Sequence, residues 1–168
     1  MLNDLLQWAT ASHEGGTELE RFDVHDLLST IFNQYNFSFL QKQNKVENFL
    51  PEKLMVVFDK NTLQFVLRNL ILNANKFTER GVISVHLKTR PGTMELCVSD
   101  NGIGMTTERV NQLFDWRKRN SSPGTQGEKG AGLALLLGRD LLKKGGADLQ
   151  VESQQGIGTT FSIILPLE

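Results

Sequence analysis

Apolar positions along the chain switch between a helical rhythm and strict alternation, and the switch points mark out the elements. In "MLNDLLQWATA", Leu2, Leu5, Leu6 and Ala9 recur three and four residues apart, which predicts an amphipathic helix ending before Gly15-Gly16. "FDVHDLLSTIFNQYNFSFLQKQN" predicts a short extended entry and then a helix, with Leu27, Leu28, Ile31 and Phe32 on one face. Pro51 divides two short apolar runs, residues 46–50 and 54–58, and favours two strands there over one helix. Asp59 or Asn61 then caps a helix running to about Thr78. Residues 82–89 and 94–99 alternate on either side of Pro91-Gly92, the pattern of a hairpin with one buried face. A short helix, "TTERVNQLF", follows Thr106 or Thr107 as cap. Polar and glycine-rich chain from Asp115 to Gly132 comes next, and a loop that long inside a compact domain is a functional lid or disordered. A helix from about Leu133 to Lys144 and strands over 147–153 and 159–165 complete the pattern. Helices collected beside a mostly antiparallel sheet predict an α+β two-layer sandwich.

Composition narrows the class without changing the fold. The 168 residues are 39% apolar and 22% charged, which suits one soluble globular domain. Formal net charge is −1 and no basic run exceeds Arg117-Lys118-Arg119, so no nucleic-acid surface is indicated. Cys97 is the one cysteine, which excludes an internal disulfide and a cysteine zinc cage and fits a reducing compartment. No stretch reaches the roughly 18 apolar residues of a membrane span, and the N-terminus lacks the layout of a signal peptide. The chain is therefore expected to be cytoplasmic and to make no membrane contact itself.

The helix around "RNLILNANKFTERG" carries the first candidate chemistry. Leu63, Val66, Leu67, Leu70, Ala74 and Phe77 form its core stripe. Asn69, Asn73 and Lys76, at i, i+4 and i+7, project within roughly 60° of one another at the edge of that stripe. Amides at the margin of a core need partners, since an unsatisfied buried polar group costs roughly 1–3 kcal/mol. Asparagine oxygens suit Mg²⁺, and a lysine one turn on suits the phosphates that accompany it. The bland alternative is that the amides cap neighbouring loops and Lys76 is solvated. Asn75 points elsewhere and is expected to be exposed.

Three glycine stretches add to this. In "SDNGIGM", Asp100 could accept a hydrogen bond from an exocyclic amine such as that of adenine, while Gly102 and Gly104 remove side chains that would obstruct a flat ring; Asn-Gly is also an ordinary turn. "GTQGEKGAGLALLL" sets Gly127, Gly130 and Gly132 ahead of an apolar helix, an arrangement whose backbone N–H groups bind phosphate or which is simply a linker with Lys129 solvated. It is neither a Walker loop nor a dinucleotide fingerprint, because no Gly-Lys-[Ser/Thr] follows and Leu135 stands at the third glycine position. "GIGTTFSIILP" is a glycine turn into an apolar strand.

Four segments in this order, "NLILNANKFT", "DNGIGM", "GEKGAGLALLL" and "GIGTTFSIILP", resemble the asparagine box and three glycine boxes of the ATP-binding catalytic domain of two-component sensor histidine kinases. The resemblance covers roughly residues 20–168, and residues 1–16 resemble the tail of the dimerisation and phosphotransfer helix that precedes that domain in the family. It implies the Bergerat fold, a mixed, mostly antiparallel sheet with helices on one face and a lid at about 115–131. It further implies that Asn73 ligates Mg²⁺ and that Asn69 and Lys76 lie near the ATP phosphates. Asp100 would read the adenine amino group, with Phe77, Gly102, Ile103 and Gly104 lining the base pocket and Thr159 supporting it. Phe114 would hinge the lid, and Gly127, Lys129, Gly130, Ala131, Gly132 and Leu133 would border it at the far end. Ala131 and Ala134 replace a common threonine and glycine, and the phenylalanine box is reduced to "LFDW".

The implied activity is transfer of the γ-phosphate of Mg·ATP to a histidine on an upstream dimerisation domain, for onward transfer to a response regulator receiver domain. The parent would be a homodimer, with or without a membrane anchor, and the isolated chain a monomer. His25-Asp26-Leu27 begins the acceptor motif, but Leu28 and Ser29 break it, so the acceptor is expected upstream. Related ATPases of the gyrase and chaperone type carry a water-activating carboxylate where this chain has Asn69. An amide cannot act as a general base, so hydrolysis is disfavoured relative to transfer. A non-catalytic nucleotide-sensing module is a second alternative, and the regulatory serine kinases that share the fold are a third, which residues 1–14 disfavour because that class lacks the preceding helical hairpin.

Overall fold

Asp23 accepts a hydrogen bond from His25 N (2.9 Å), and this cap starts the first helix with Leu27, Leu28 and Ile31 turned inward. In this computed structural model, residues 17–115, 117, 124–126 and 133–167 are described. The expected helix over residues 1–11, most of the expected lid and its bordering Gly127, Lys129, Gly130, Ala131 and Gly132 lie outside them. The elements are β1 (Leu19–Asp23), α1 (Val24–Gln34), α2 (Asn36–Gln41), β2 (Lys45–Asn48), β3 (Met55–Asp59), α3 (Lys60–Lys76), β4 (Val82–Arg90), β5 (Thr93–Asp100), α4 (Thr107–Gln112), α5 (Leu133–Lys144), β6 (Asp148–Gln154) and β7 (Gly158–Pro166).

The hairpin read from alternation is present as β4 and β5, in antiparallel register from Ile83↔Asp100 to Arg90↔Thr93. Around it the five-stranded sheet runs β2-β4-β5-β7-β6, with β2 parallel to β4 and the other pairs antiparallel. Across the sheet, Val85, Val98, Phe161 and Val151 form one in-register row and Leu87, Leu96, Ile163 and Leu149 the next. Leu28, Ile31, Leu63, Leu67, Leu70, Ile71 and Leu142, from α1, α3 and α5, join the inward side chains of these rows in one apolar cluster. The reverse face carries His86, Cys97, Ser162 and Gln150 in the same alternation, which confines the core to one side. Among the described residues no helix is long and apolar enough to cross a membrane.

Three local expectations differ from what is observed. The extended entry is a full strand, β1, antiparallel to β3 in a separate two-stranded sheet. Its alternation is hidden because Phe22 is its one fully buried side chain. The long helix after it is two helices, because Tyr35 leaves the helical region (φ −106°, ψ 12°) between α1 and α2. Residues 46–50 and 54–58 shift to 45–48 and 55–59, and the two strands pair with β4 and β1 rather than with each other.

Candidate functional site

Helix α3 starts on Asp59, whose carboxylate accepts from Thr62 N (2.7 Å), and it buries Leu63, Val66, Leu67, Leu70, Ile71 and Ala74. With that stripe fixed against the sheet, Asn69, Asn73 and Lys76 fall on its half-buried margin, as helical geometry requires. Asn69 Nδ2 donates one turn back to Phe65 O (2.7 Å), whereas among the described residues no hydrogen bond engages the Asn73 amide. A half-buried amide without an internal partner is the kind of group a ligand satisfies. Lys76 Nζ lies 4.9 Å from the centroid of the Phe77 ring.

The carbonyl end of α3 is a convergence point. Lys76 O accepts from Lys42 Nζ (2.7 Å) and from Thr125 N (2.9 Å), so the long polar loop is hooked to this helix at Thr125. An ammonium at a helix C-terminus is favourably placed against the macrodipole. Asn75, expected to be exposed, is 7% exposed instead. Its Oδ1 accepts from Asn44 Nδ2 (2.8 Å) and its Nδ2 donates to Ser38 O (3.3 Å). The helical wheel had no means of supplying Asn44, which arrives from the turn after α2.

Strand β5 delivers Asp100 to the same end of α3. Asp100 Oδ1 accepts from Gly102 N (2.9 Å), and Ile103 N donates to Phe77 O (3.0 Å), stitching the glycine turn to the helix terminus. A Cβ on Gly102 would collide with the Phe77 carbonyl, and one on Gly104, at φ +65°, with the Gln154 carbonyl. On its other side the turn is held by the β6–β7 hairpin, through Met105 N to Ser153 Oγ (2.8 Å) and Gly156 N to Ile103 O (2.7 Å). Thr159 stands opposite Asp100 in register, and its hydroxyl bonds to Ser153 Oγ (2.8 Å). Burial pushes the Asp100 carboxyl above its ordinary pKa, while N–H groups of Gly102 and Thr159 and the nearby Thr78 hydroxyl draw it part of the way back.

The fold thus brings Phe77, Asp100, Gly102, Ile103, Gly104 and Thr159 to one locus at the end of the helix that bears Asn69, Asn73 and Lys76. Phe114 is held elsewhere: the Arg139 guanidinium lies 4.5 Å from its ring centroid, and Arg139 Nε pairs with Asp148 at 3.3 Å. Leu133 is half-buried at the start of α5. Lys42, Asn44 and Thr78 were missed because their partners lie more than thirty residues away in the chain, and Ser153 because no spacing marks a serine that bonds both across its own hairpin and to Met105 N.

Chemically, the locus offers a carboxylate acceptor beside a glycine turn, then an ammonium and amides along the last two turns of α3, a layout for a flat polar ring joined to an anionic tail. A single amide oxygen at Asn73 fits Mg²⁺, which takes few protein ligands and completes its shell with phosphate and water.

Residues 58–168 match the family of histidine kinase-, DNA gyrase B-, and HSP90-like ATPases. The sensor protein EvgS of Escherichia coli strain K12 is 37% identical over 123 residues, which are 70% of this chain and 10% of EvgS. The aerobic respiration control sensor protein ArcB of the same strain is 34% identical over 147 residues, 83% of this chain and 19% of ArcB. The crystal structure of full-length ShkA in complex with AMPPNP superposes with a TM-score of 0.80 at 23% identity, over 98% of this chain and 35% of that one, a likeness of fold. The chain therefore spans about a tenth of EvgS and a fifth of ArcB.

Proposed function

Because the chain belongs to the family of histidine kinase-, DNA gyrase B-, and HSP90-like ATPases and its relatives are sensor kinases, we propose that it binds Mg·ATP and presents the γ-phosphate to a histidine on an upstream dimerisation domain. The observation that carries this reading is the placement of the half-buried Asp100 carboxylate and the Gly102–Gly104 turn against the end of the helix that bears Asn69, Asn73 and Lys76.

In this reading Asp100 accepts a hydrogen bond from the adenine amino group, and Gly102, Ile103 and Gly104 line the ring's slot beside Phe77, with Thr159 behind. Asn69 and Lys76 lie along the phosphates, and Asn73 is the protein's ligand to the metal. Mg²⁺, when bound, neutralises phosphate charge. Phosphoryl transfer asks mainly for positioning and charge stabilisation, which a lysine and fixed amides on a rigid helix provide. The incoming histidine nitrogen forms the new bond to phosphorus and ADP leaves. Asn69, having no basic oxygen, gives water no comparable activation. Phe114 and Leu133 flank the loop that would cover the nucleotide, and Lys129 and the glycines 127, 130 and 132 would supply its phosphate contacts. The whole protein would act as a cytoplasmic homodimeric kinase portion that passes its phosphate to a receiver domain.

Calorimetric titration with a non-hydrolysable ATP analogue, with and without Mg²⁺ and against a GTP analogue, tests the binding half. Metal-dependent, adenine-selective binding is the expected result. A chain extended upstream to include a dimerisation domain should then form phosphohistidine; binding without transfer there would leave a nucleotide-sensing module.

A further inference from the structure

The glycine turn that runs from Asp100 to Met105 meets the β6–β7 hairpin at both of its ends, and one side chain joins the two meetings. Ser153 Oγ accepts from Met105 N (2.8 Å), donates to Gly158 O (3.0 Å) and lies 2.8 Å from Thr159 Oγ1. A serine hydroxyl has one proton and two acceptor sites. With the Ser153 proton on Gly158 O, the contact with Thr159 takes its proton from Thr159. The Ser153 hydroxyl is therefore used to capacity, and each of its three bonds goes to a different residue.

Those residues bracket Asp100. Thr159 stands between Ser153 and Asp100 in one row across the sheet, paired with Ser153 on β6 and with Asp100 on β5. Gly158 approaches the same strand so closely that a Cβ there would strike the Asp100 carbonyl. Met105 is the exit of the turn whose Gly102 N–H holds the Asp100 carboxylate. The middle of the turn is fixed through backbone, with Ile103 N on Phe77 O and Gly156 N on Ile103 O, whereas Met105 N is fixed by a side chain. Helix α4, which follows, buries none of its side chains completely and gives that exit little support of its own.

We infer that Ser153 is a positioning residue of the nucleotide site: touching no ligand itself, it clamps the exit of the glycine turn to the strand behind Asp100 and so fixes the aim of the Asp100 carboxylate at a purine amino group. This inference rests on the nucleotide reading given above. A hydrogen bond weakens steeply as its angle and length depart from the optimum, so a recognition group is only as selective as the residues that hold it in place. Without the Ser153 hydroxyl, Met105 N and Thr159 Oγ1 lose their shared partner. Asp100 then keeps its charge and loses its alignment.

Wild type, Ser153→Ala and Ser153→Thr are titrated calorimetrically with a non-hydrolysable ATP analogue and with its purine counterpart, which lacks the 6-amino group. Wild type should prefer the adenine compound by about tenfold or more, the worth of a hydrogen bond to a charged acceptor. Ser153→Ala should narrow that preference to about threefold or less while binding the purine compound nearly as wild type does, and Ser153→Thr, which keeps the hydroxyl, should restore it. A serine that served stability alone would lower Tm in the alanine variant and leave the preference of the folded chain untouched. Should the alanine variant fail to fold, Ser153→Cys, which keeps the volume and weakens the hydrogen bonds, carries the same comparison. A preference retained in the variant without the hydroxyl overturns the role of Ser153 and leaves the site reading intact. A wild-type chain that binds neither compound, or both equally, overturns the site reading itself.

Discussion

Replacing Asp100 by asparagine exchanges one carboxylate oxygen for an NH₂ group, and the structure determines which way it faces. Gly102 N–H holds Oδ1 at 2.9 Å, so the asparagine oxygen is drawn to that place and the NH₂ turns toward the incoming base. A donor then meets the adenine amino group, and the hydrogen bond to a charged acceptor, worth about 1.5–3 kcal/mol, is lost. Affinity for an ATP analogue should fall by roughly 10- to 150-fold. Because NH₂ complements a guanine carbonyl, affinity for the GTP analogue should rise. Competition calorimetry near neutral pH measures both. Burial raises the wild-type carboxyl pKa. Wild-type adenine affinity should therefore decline as pH falls, starting at higher pH than for an ordinary carboxylate, while the variant's does not. The stability slope has the opposite sense. A raised folded pKa contributes stability that is full below the unfolded value and lost as pH rises through the folded one, and Asp100→Asn removes that slope. Unchanged ATP affinity and unchanged base preference in the variant would refute the assignment of Asp100.

Asn73→Ala should abolish the Mg²⁺-dependent part of nucleotide affinity and leave metal-free binding nearly as it was, as read by titration with and without chelator. Asn44→Ala and Asn75→Ala should each cost about 1–3 kcal/mol by stranding buried polar groups, and a double-mutant cycle in urea should show coupling above about 0.5 kcal/mol. Gly104→Ala forces a side chain into a left-handed turn against the Gln154 carbonyl. A cost of roughly 2 kcal/mol, on the order of 4–8 °C in Tm, is expected by calorimetric scanning.

Elements whose apolar faces are complete were legible in the chain. Helix α3 with its stripe from Leu63 to Ala74 and the β4–β5 hairpin emerged where periodicity placed them, because each buries one continuous face. Strand β1 did not show itself, since its partner β3 lies more than thirty residues on and supplies the reason it is extended. The parallel pairing of β2 with β4 was equally hidden: four residues carry too little pattern to state a partner or a direction. Within the site, the motifs marked the backbone turns and the residues proposed to face a ligand. They were silent on the groups that hold those residues in place. Asn75 shows why: on its own helix it is a polar residue off the apolar stripe, and only Asn44 from another segment makes burial favourable there.

The Asp59 carboxylate serves two masters. One oxygen caps α3 through Thr62 N at 2.7 Å, and the other accepts from Glu18 N at 3.3 Å, just ahead of β1. The shared carboxylate ties the chain just ahead of β1 to the first turn of α3, at the end of the β1–β3 ladder where Leu19 faces Asp59. The entry to β1 and the start of the helix that bears Asn69, Asn73 and Lys76 are thereby one joint, and loss of the Asp59 carboxylate strands a backbone donor on each side of it.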